Sequence, residues 1–248
     1  MFVAVARIPA GPAALSQAAA ITGLAAADVS RLLAGTLPRI LVRAAREGGR
    51  IAEDLRAAGF VAFASDESEV PSDERRVVAR GLELFGDGFV ALDGFGRRHA
   101  CPAGALGAFL RGVRILESSE TVKSVERKLD LGKAVLTGGL LVTRKVETTS
   151  ARTTSEKESF VLVQRKDGLP DIMLRERRLN YQCLDRDLQP STHQNLLRLT
   201  ARLRALAPEV PLDDRITRPG FLAGLPLMAL DPADLALFLV ARARALGC

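Results

Sequence analysis

The chain has 248 residues, of which 48% are hydrophobic and 26% are charged, and its formal net charge is +6. This composition excludes an intrinsically disordered chain and is typical of a globular protein with a sizeable core. The sequence has no apolar stretch of the roughly 18 residues that a membrane span needs. Most basic residues are arginines, and the first lysine is Lys123. Because such usage is typical of GC-rich bacterial genomes, the basic charge alone does not indicate a nucleic-acid partner.

The first 66 residues predict a compact unit with the element order β-α-α-β-α-β. Apolar runs predict strands at FVAVARI, LPRILVRAA and FVAFAS. Two short helices are expected to end at Gly23 and Gly35, because glycine readily adopts the left-handed conformation that closes a helix. In the third helix, Ile51 and Leu55 lie four residues apart and therefore on one face.

Four short motifs of this unit carry a family resemblance: Thr22-Gly23-Leu24, Leu37-Pro38 at a strand start, the Ile51-to-Leu55 helix, and Ala57-Ala58-Gly59. With them the segment resembles the C-terminal domain of the stalk protein of the large ribosomal subunit. The resemblance implies an α/β fold that docks other proteins. That family recruits translation factors through a lysine-bearing helical face. This segment contains no lysine, so the ribosomal function is not carried over.

The sequence after residue 66 differs in composition and in its pattern of apolar residues. Acidic residues and Pro71 predict a linker, and about seven short strands and one amphipathic helix are expected after it. The motifs GDG and GFG predict tight turns, AGALGAFLRG a short helix or turn, and TTSARTTSE the turn of a hairpin. Leu196, Leu199, Leu203 and Leu206 repeat at helical spacing. This order resembles the pleckstrin-homology-like fold of bacterial proteins, which implies a bent sheet closed at one end by the helix.

The sequence therefore predicts an α+β protein, in which a small β-α-α-β-α-β domain precedes a pleckstrin-homology-like bent β-sheet domain with C-terminal helices. The predicted boundaries are 1–66 for the stalk-like domain, 67–76 for the linker, 77–207 for the β-domain and 208–248 for the helical tail. In the tail, Asp231 is expected to cap a last helix that packs back on one of the domains.

The residue types that commonly act in catalysis or metal binding are scattered along the sequence. Residues 131–139, LGKAVLTGG, contain a Gly-Lys pair, but the order differs from that of a phosphate-binding P-loop, so no nucleotide cofactor is expected. His99 and Cys101 share one strand face, and Cys183 and His193 lie elsewhere, without metal-ligand spacing. No Gly-x-Ser-x-Gly motif occurs in the sequence. We therefore predict no metal, no cofactor and no catalytic residue.

The region 120–178 is the most basic part of the chain, and it contains an aliphatic connection at Leu129–Leu141. Because exposed aliphatic side chains are costly in water, this connection is expected to cover the core or to contact a partner. The predicted binding residues, for a protein partner or a lipid surface, are Lys133, Leu136, Leu140, Arg144 and Lys145.

These observations favour a non-catalytic bacterial adaptor or regulatory protein that acts through protein–protein interaction with an unknown partner. The alternative is peripheral binding of an anionic membrane through the basic β-domain. A further alternative is an enzyme of unrecognised type, which a pocket containing His99, a cysteine and an acid would favour. A nucleic-acid partner is not expected, because Phe160 and Tyr181 are the only aromatic residues near the basic region. Three widely spaced cysteines favour the reducing cytoplasm.

Overall fold

The computed structural model describes residues 1–43, 46–129, 143–218 and 220–248, and of 117–129 and 143–155 it describes the backbone only. The chain forms two compact units. The first consists of Met1–Arg114 together with Glu158–Cys248, and the second is Ile115–Lys157. The fold class is α+β, as predicted.

The described residues form five α-helices and ten β-strands. The helices are α1 (Ala14–Thr22), α2 (Ala26–Leu32), α3 (Gly48–Ala57), α4 (Thr192–Leu206) and α5 (Pro232–Ala245). The strands are β1 (Phe2–Arg7), β2 (Arg39–Arg43), β3 (Val61–Ser65), β4 (Val77–Phe85), β5 (Gly88–Asp93), β6 (Arg98–Pro102), β7 (Leu106–Leu129), β8 (Thr143–Arg165), β9 (Ile172–Arg175) and β10 (Leu212–Asp213).

The N-terminal segment forms a three-stranded antiparallel sheet in the order β2-β1-β3. The predicted order β-α-α-β-α-β is confirmed. Gly23 closes α1 in the left-handed region with a φ of 71°, and its N–H donates to the carbonyl of Ala19. One face of the sheet, including Val3 and Val5, packs against α1, α2 and α3, where Leu55 is fully buried.

The larger sheet has seven strands in the order β10-β7-β8-β9-β4-β5-β6. Helix α4 packs on one face of it, and its predicted apolar stripe is confirmed because Leu196, Leu199 and Leu203 are all fully buried. Alternate residues of the central strands point to the opposite face, as strand geometry requires. There, Leu110 and Phe160 contact a second core that includes α5.

Helix α5 lies between the two sheets. On one side, Leu235 and Leu239 pack with Phe2 and other residues of the three-stranded sheet. On another side, Leu237 and Val240 pack against the seven-stranded sheet. A helix that is apolar on nearly every side is typically buried. In α5, seven residues are buried. The predicted last helix therefore packs on both sheets rather than on one domain.

The helix begins at the predicted cap. The Oδ1 atom of Asp231 accepts the backbone N–H of Ala233 at 2.8 Å, and Pro232 occupies the first helical turn. Such a cap satisfies donors that would otherwise be left unpaired at the helix start.

One sequence prediction about the β-region is wrong, and a second is confirmed only for the first three residues of its segment. The segment TTSARTTSE is not a hairpin turn, because it lies inside the continuous strand β8. The segment AGALGAFLRG is a single 3₁₀ turn at Ala103–Ala105 followed at once by β7. Threonine has a high strand propensity, so a polar Thr-rich run is as compatible with a strand as with a turn. The predicted connection at Leu129–Leu141 lies almost wholly outside the described residues.

The predicted linker contains two short 3₁₀ turns, Glu67–Glu69 and Asp73–Arg75, and the side chain of Arg76 is buried. These residues belong to the same compact unit as the three-stranded sheet and five of the seven strands of the larger sheet. Contacts in the folded state do not decide which segments fold independently, so the boundaries 1–66, 67–76, 77–207 and 208–248 stay a prediction.

A buried arginine joins the small sheet to the segment before α5. The guanidinium of Arg39 donates to the carbonyl oxygens of Phe221 at 2.8 Å and Gly220 at 3.1 Å, and it lies 5.3 Å from the ring centre of Phe221. Burial lowers the pKa of Arg39. Gly224 leaves the space that this guanidinium occupies, because a Cβ atom there would overlap it.

Candidate functional site

The binding residues predicted from the sequence cannot be compared with one another in space. Lys133, Leu136 and Leu140 lie outside the described residues. Arg144 and Lys145 belong to the first part of β8, residues 143–155, of which only the backbone is described. This binding surface therefore stays a prediction.

A cleft of about 570 Å³ lies between the start of β4, the turn from β5 to β6 and the turn after β9. Its wall contains four arginines, one histidine and one exposed aromatic ring, together with three carboxylates and two valines. The residues that define this arginine cleft are Arg76, Arg80, Phe95, Arg97, His99 and Arg178.

Asp93 shapes the turn that carries Phe95 and Arg97. Its Oδ1 atom accepts the backbone N–H of Phe95 at 2.8 Å and that of Arg97 at 2.9 Å, as an aspartate commonly does in a tight turn. Gly96 has a φ of 76°, a conformation that favours glycine. Phe95 is 86% exposed, and the guanidinium of Arg97 lies 5.3 Å from its ring centre. The turn therefore presents an aromatic face and a cation together.

The other carboxylate oxygen of Asp93 is paired with His99. The distance between Asp93 Oδ2 and His99 Nε2 is 3.0 Å. This hydrogen bond from His99 holds the pKa of Asp93 below its usual range, assisted by the N–H groups of Arg97 and Phe95 and opposed by desolvation. Cys101, two residues further along β6, is buried in the core instead. Among the described residues, His99 therefore contacts an acid, Asp93, in the cleft, but no cysteine lines this cleft.

Three arginines of the cleft have no carboxylate partner among the described residues. Arg80, Arg97 and Arg178 are exposed, and no ion pair of theirs occurs in the part of the chain that the structure describes. Glu74 is likewise exposed and unpaired within those residues. Counted over the described residues, the cleft consequently holds more unpaired arginines than unpaired acids.

The fourth arginine belongs to a neutral network at the edge of the cleft. Asp73 forms ion pairs with three arginines, of which Arg76 and Arg175 are buried. Burial lowers the pKa of Arg175. Charged groups that leave water need such partners. Three carboxylates balance the three cations of this network: Asp73, Asp231 and Asp234 with Arg76, Arg114 and Arg175.

A second polar cluster borders a cavity of about 320 Å³. There, the hydroxyl of Ser159 lies 3.2 Å from Nδ1 of His193, and Oε2 of Glu176 lies 3.5 Å from the same nitrogen. A serine is activated when the acid orients one imidazole nitrogen and the other accepts the hydroxyl proton. Here both oxygens approach one nitrogen, and the carboxylate favours a proton on it. This geometry does not activate Ser159.

The pKa of Glu176 is lowered despite the opposing effect of desolvation. The responsible donors are the hydroxyl of Thr192, the hydroxyl and backbone N–H of Ser159, and the imidazole of His193. The carboxylate accepts hydrogen bonds from the Thr192 hydroxyl at 3.0 Å and the Ser159 backbone N–H at 3.2 Å, and it therefore acts as a local structural acceptor.

The cysteines show no nucleophilic or metal-binding arrangement among the described residues. Burial raises the pKa of Cys101 to about 11, and burial also raises the pKa of Cys183, which is only half-buried. In the described part of the chain, no three His, Cys, Asp or Glu side chains are grouped closely enough to hold a metal ion.

Sequence reasoning did not select Arg80, Phe95 or Arg97. The segment DGFGRRH does carry a signal, because an aromatic residue between two glycines in a predicted turn has no apolar neighbour to pack against. The proximity of Arg80 and Arg178 to this turn depends on strand pairing, which the sequence does not give.

Comparisons of the chain with protein-family models, with curated proteins and with solved structures found no significant match. The resemblances to the ribosomal stalk domain and to pleckstrin-homology-like domains therefore stay predictions. Within the described residues, no helix has the length and apolar character required to cross a membrane.

Proposed function

We propose that the protein is a non-catalytic adaptor or regulatory protein that binds an acidic segment of a partner protein in the arginine cleft. The observation that carries this proposal is the grouping of three arginines, unpaired within the described residues, beside an exposed phenylalanine. These side chains are Arg80, Arg97, Arg178 and Phe95.

The charge of the cleft favours a carboxylate-bearing ligand. Arginine presents a planar fork of donors that matches a carboxylate, and a charge-assisted hydrogen bond of this kind is stronger than a neutral one. Asp73 and Asp93 already accept hydrogen bonds or ion pairs from the protein, so Glu74 is the one unpaired acid in the described lining. An acidic segment bound in the cleft would therefore be close to more unpaired arginines than unpaired acids.

The shape and chemistry of the cleft support a peptide over the other anionic partners. Val77 and Val78 contribute apolar surface beside the cations, which suits a chain that mixes acidic and apolar side chains. A single-stranded nucleic acid generally binds to several stacking aromatic residues, and Phe95 is the single aromatic residue of this lining. A membrane surface is flat, whereas these arginines line a concavity.

The proposed setting is the bacterial cytoplasm. The three cysteines are free thiols in the structure, and unpaired thiols are usual in a reducing compartment.

The proposal is tested by fluorescence anisotropy with a rhodamine-labelled peptide of six aspartates. We expect binding at low ionic strength that weakens with added salt, because exposed charge pairs are screened. Replacing Arg80, Arg97 and Arg178 together by glutamine is expected to weaken binding by about tenfold or more. The matched control is Arg204→Gln, which removes one exposed arginine of α4 that lies outside the cleft.

Equal affinity of the triple variant and the wild type would refute the proposed site. Absence of peptide binding, combined with salt-sensitive co-sedimentation on phosphatidylglycerol vesicles, would favour the membrane alternative instead. A hexalysine peptide serves as the charge-reversed control and is expected not to bind.

A further inference from the structure

We infer that His99 makes ligand binding in the arginine cleft depend on pH, with acidic segments bound more tightly as the pH falls from 8 to 5.5. This inference rests on the proposed function and assigns a specificity-determining role within the same cleft. It is motivated by the position of a histidine and its carboxylate partner, His99 and Asp93, in the wall of the cleft.

The pair changes the charge that a ligand meets. When His99 is neutral, Asp93 is a carboxylate with no cationic partner in the part of the chain that the structure describes, and it repels an acidic ligand. When His99 is protonated, the two charges neutralise each other across 3.0 Å. The imidazole then also carries an N–H group on Nδ1, which has no partner among the described residues. Protonation therefore removes one repulsive charge and adds one donor.

Both side chains are only partly accessible, which keeps their interaction less screened than that of a fully exposed pair. The side chain of His99 is 29% exposed and that of Asp93 is 13% exposed. Other charged groups of the cleft are arginines, which stay charged, and two more acids. These groups are Arg76, Arg80, Arg97 and Arg178 with Asp73 and Glu74.

The direction of the pH dependence follows from the linkage between proton binding and ligand binding. Histidine is the side chain whose charge normally changes between pH 5 and 8. A ligand that binds better to the protonated form takes up a proton, so affinity rises as the pH falls and cannot rise by more than about tenfold per pH unit for one proton. We expect an increase of about three- to tenfold between pH 8 and pH 5.5, since aspartate peptides stay ionised over this range.

The experiment measures the affinity of the rhodamine-labelled hexa-aspartate at pH 5.5, 6.5, 7.5 and 8 at constant ionic strength. His99→Gln keeps a donor that can reach Asp93 but does not titrate, so its affinity is expected to change less than twofold over the same range. The protein has two histidines, and His193→Gln is the matched control. His193 lies in the second cavity, away from the cleft, and its removal should leave the pH profile unchanged.

Two measurements distinguish a failure of this inference from a failure of the proposed function. With His193→Gln, a single imidazole resonance remains, and its NMR titration midpoint should move to higher pH when the peptide is bound. Binding with a flat pH profile in the wild type overturns the inference and leaves the proposed function intact. Absence of binding at every pH overturns both. A pH profile that survives in His99→Gln, with circular dichroism confirming its fold, also overturns the inference.

Discussion

Truncating Leu239 in α5 to alanine tests whether this helix holds the two sheets together. The side chain of Leu239 is 0% exposed and packs in the core that α5 shares with the three-stranded sheet. Its neighbour Leu237 packs in the core shared with the seven-stranded sheet. If both cores belong to one cooperative structure, damage to either one should destabilise the whole of it.

The expected magnitude follows from the groups removed. Leu→Ala deletes three buried carbon groups at about 0.8 kcal/mol each, which gives about 2.4 kcal/mol of lost transfer free energy. A residual cavity adds to this, so the loss in the free energy of unfolding should be about 3 to 4 kcal/mol. For a protein whose total stability is about 5–15 kcal/mol, this is a large fraction. In thermal unfolding it corresponds to a decrease of about 10 °C in Tm.

The assay is urea unfolding followed by circular dichroism for the wild type, Leu239→Ala, Leu237→Ala and the control Leu246→Ala. Leu246 is 47% exposed, so its truncation should change the free energy of unfolding by less than about 0.5 kcal/mol. We expect one transition, shifted to lower urea by either core variant. Two transitions, of which Leu239→Ala moves one and Leu237→Ala the other, would refute this reasoning. That result would instead support independent folding of residues 1–66.

Two further predictions concern local packing and thiol reactivity. Gly224→Ala should destabilise the protein by about 1–3 kcal/mol in urea unfolding, because its Cβ would displace the buried guanidinium of Arg39. Gly49→Ala, in open space within α3, should instead stabilise it by about 0.5–1 kcal/mol. In native protein at pH 7.5, Cys101 should react with a thiol reagent about a hundredfold more slowly than Cys248, because burial raises its pKa to about 11. Equal labelling rates would contradict this burial.

Much of the N-terminal fold was accessible from the sequence because its signals are local. Alternating or continuous apolar runs mark β1, β2 and β3, and Gly23 marks the end of α1 through its left-handed backbone. The same holds for α4, whose leucines repeat every three to four residues, and for the cap at Asp231. These features depend on neighbours within one turn or one strand.

The β-region was harder to predict because polar threonine-rich segments do not separate strand from turn. The segment TTSARTTSE lies within β8, although its composition is also typical of a hairpin tip. What decides between the two is pairing with neighbouring strands, which is a long-range property.

The sequence by itself determined the α+β class, the caps at Gly23 and Asp231 and the apolar faces, because each depends on residues that are close together along the chain. Helix α2, by contrast, ends at Leu32 and not at the predicted Gly35. Only the tertiary structure decided that α5 packs against both sheets, and that Arg80, Arg97 and Arg178 meet beside Asp93 and His99. These residues are separated by up to about a hundred positions, and no local signal encodes their proximity. These residues come together because of the order of strands in the sheet and the direction of the buried helix. Both are set by the burial of apolar surface, which also determines where each polar side chain lies on the protein surface.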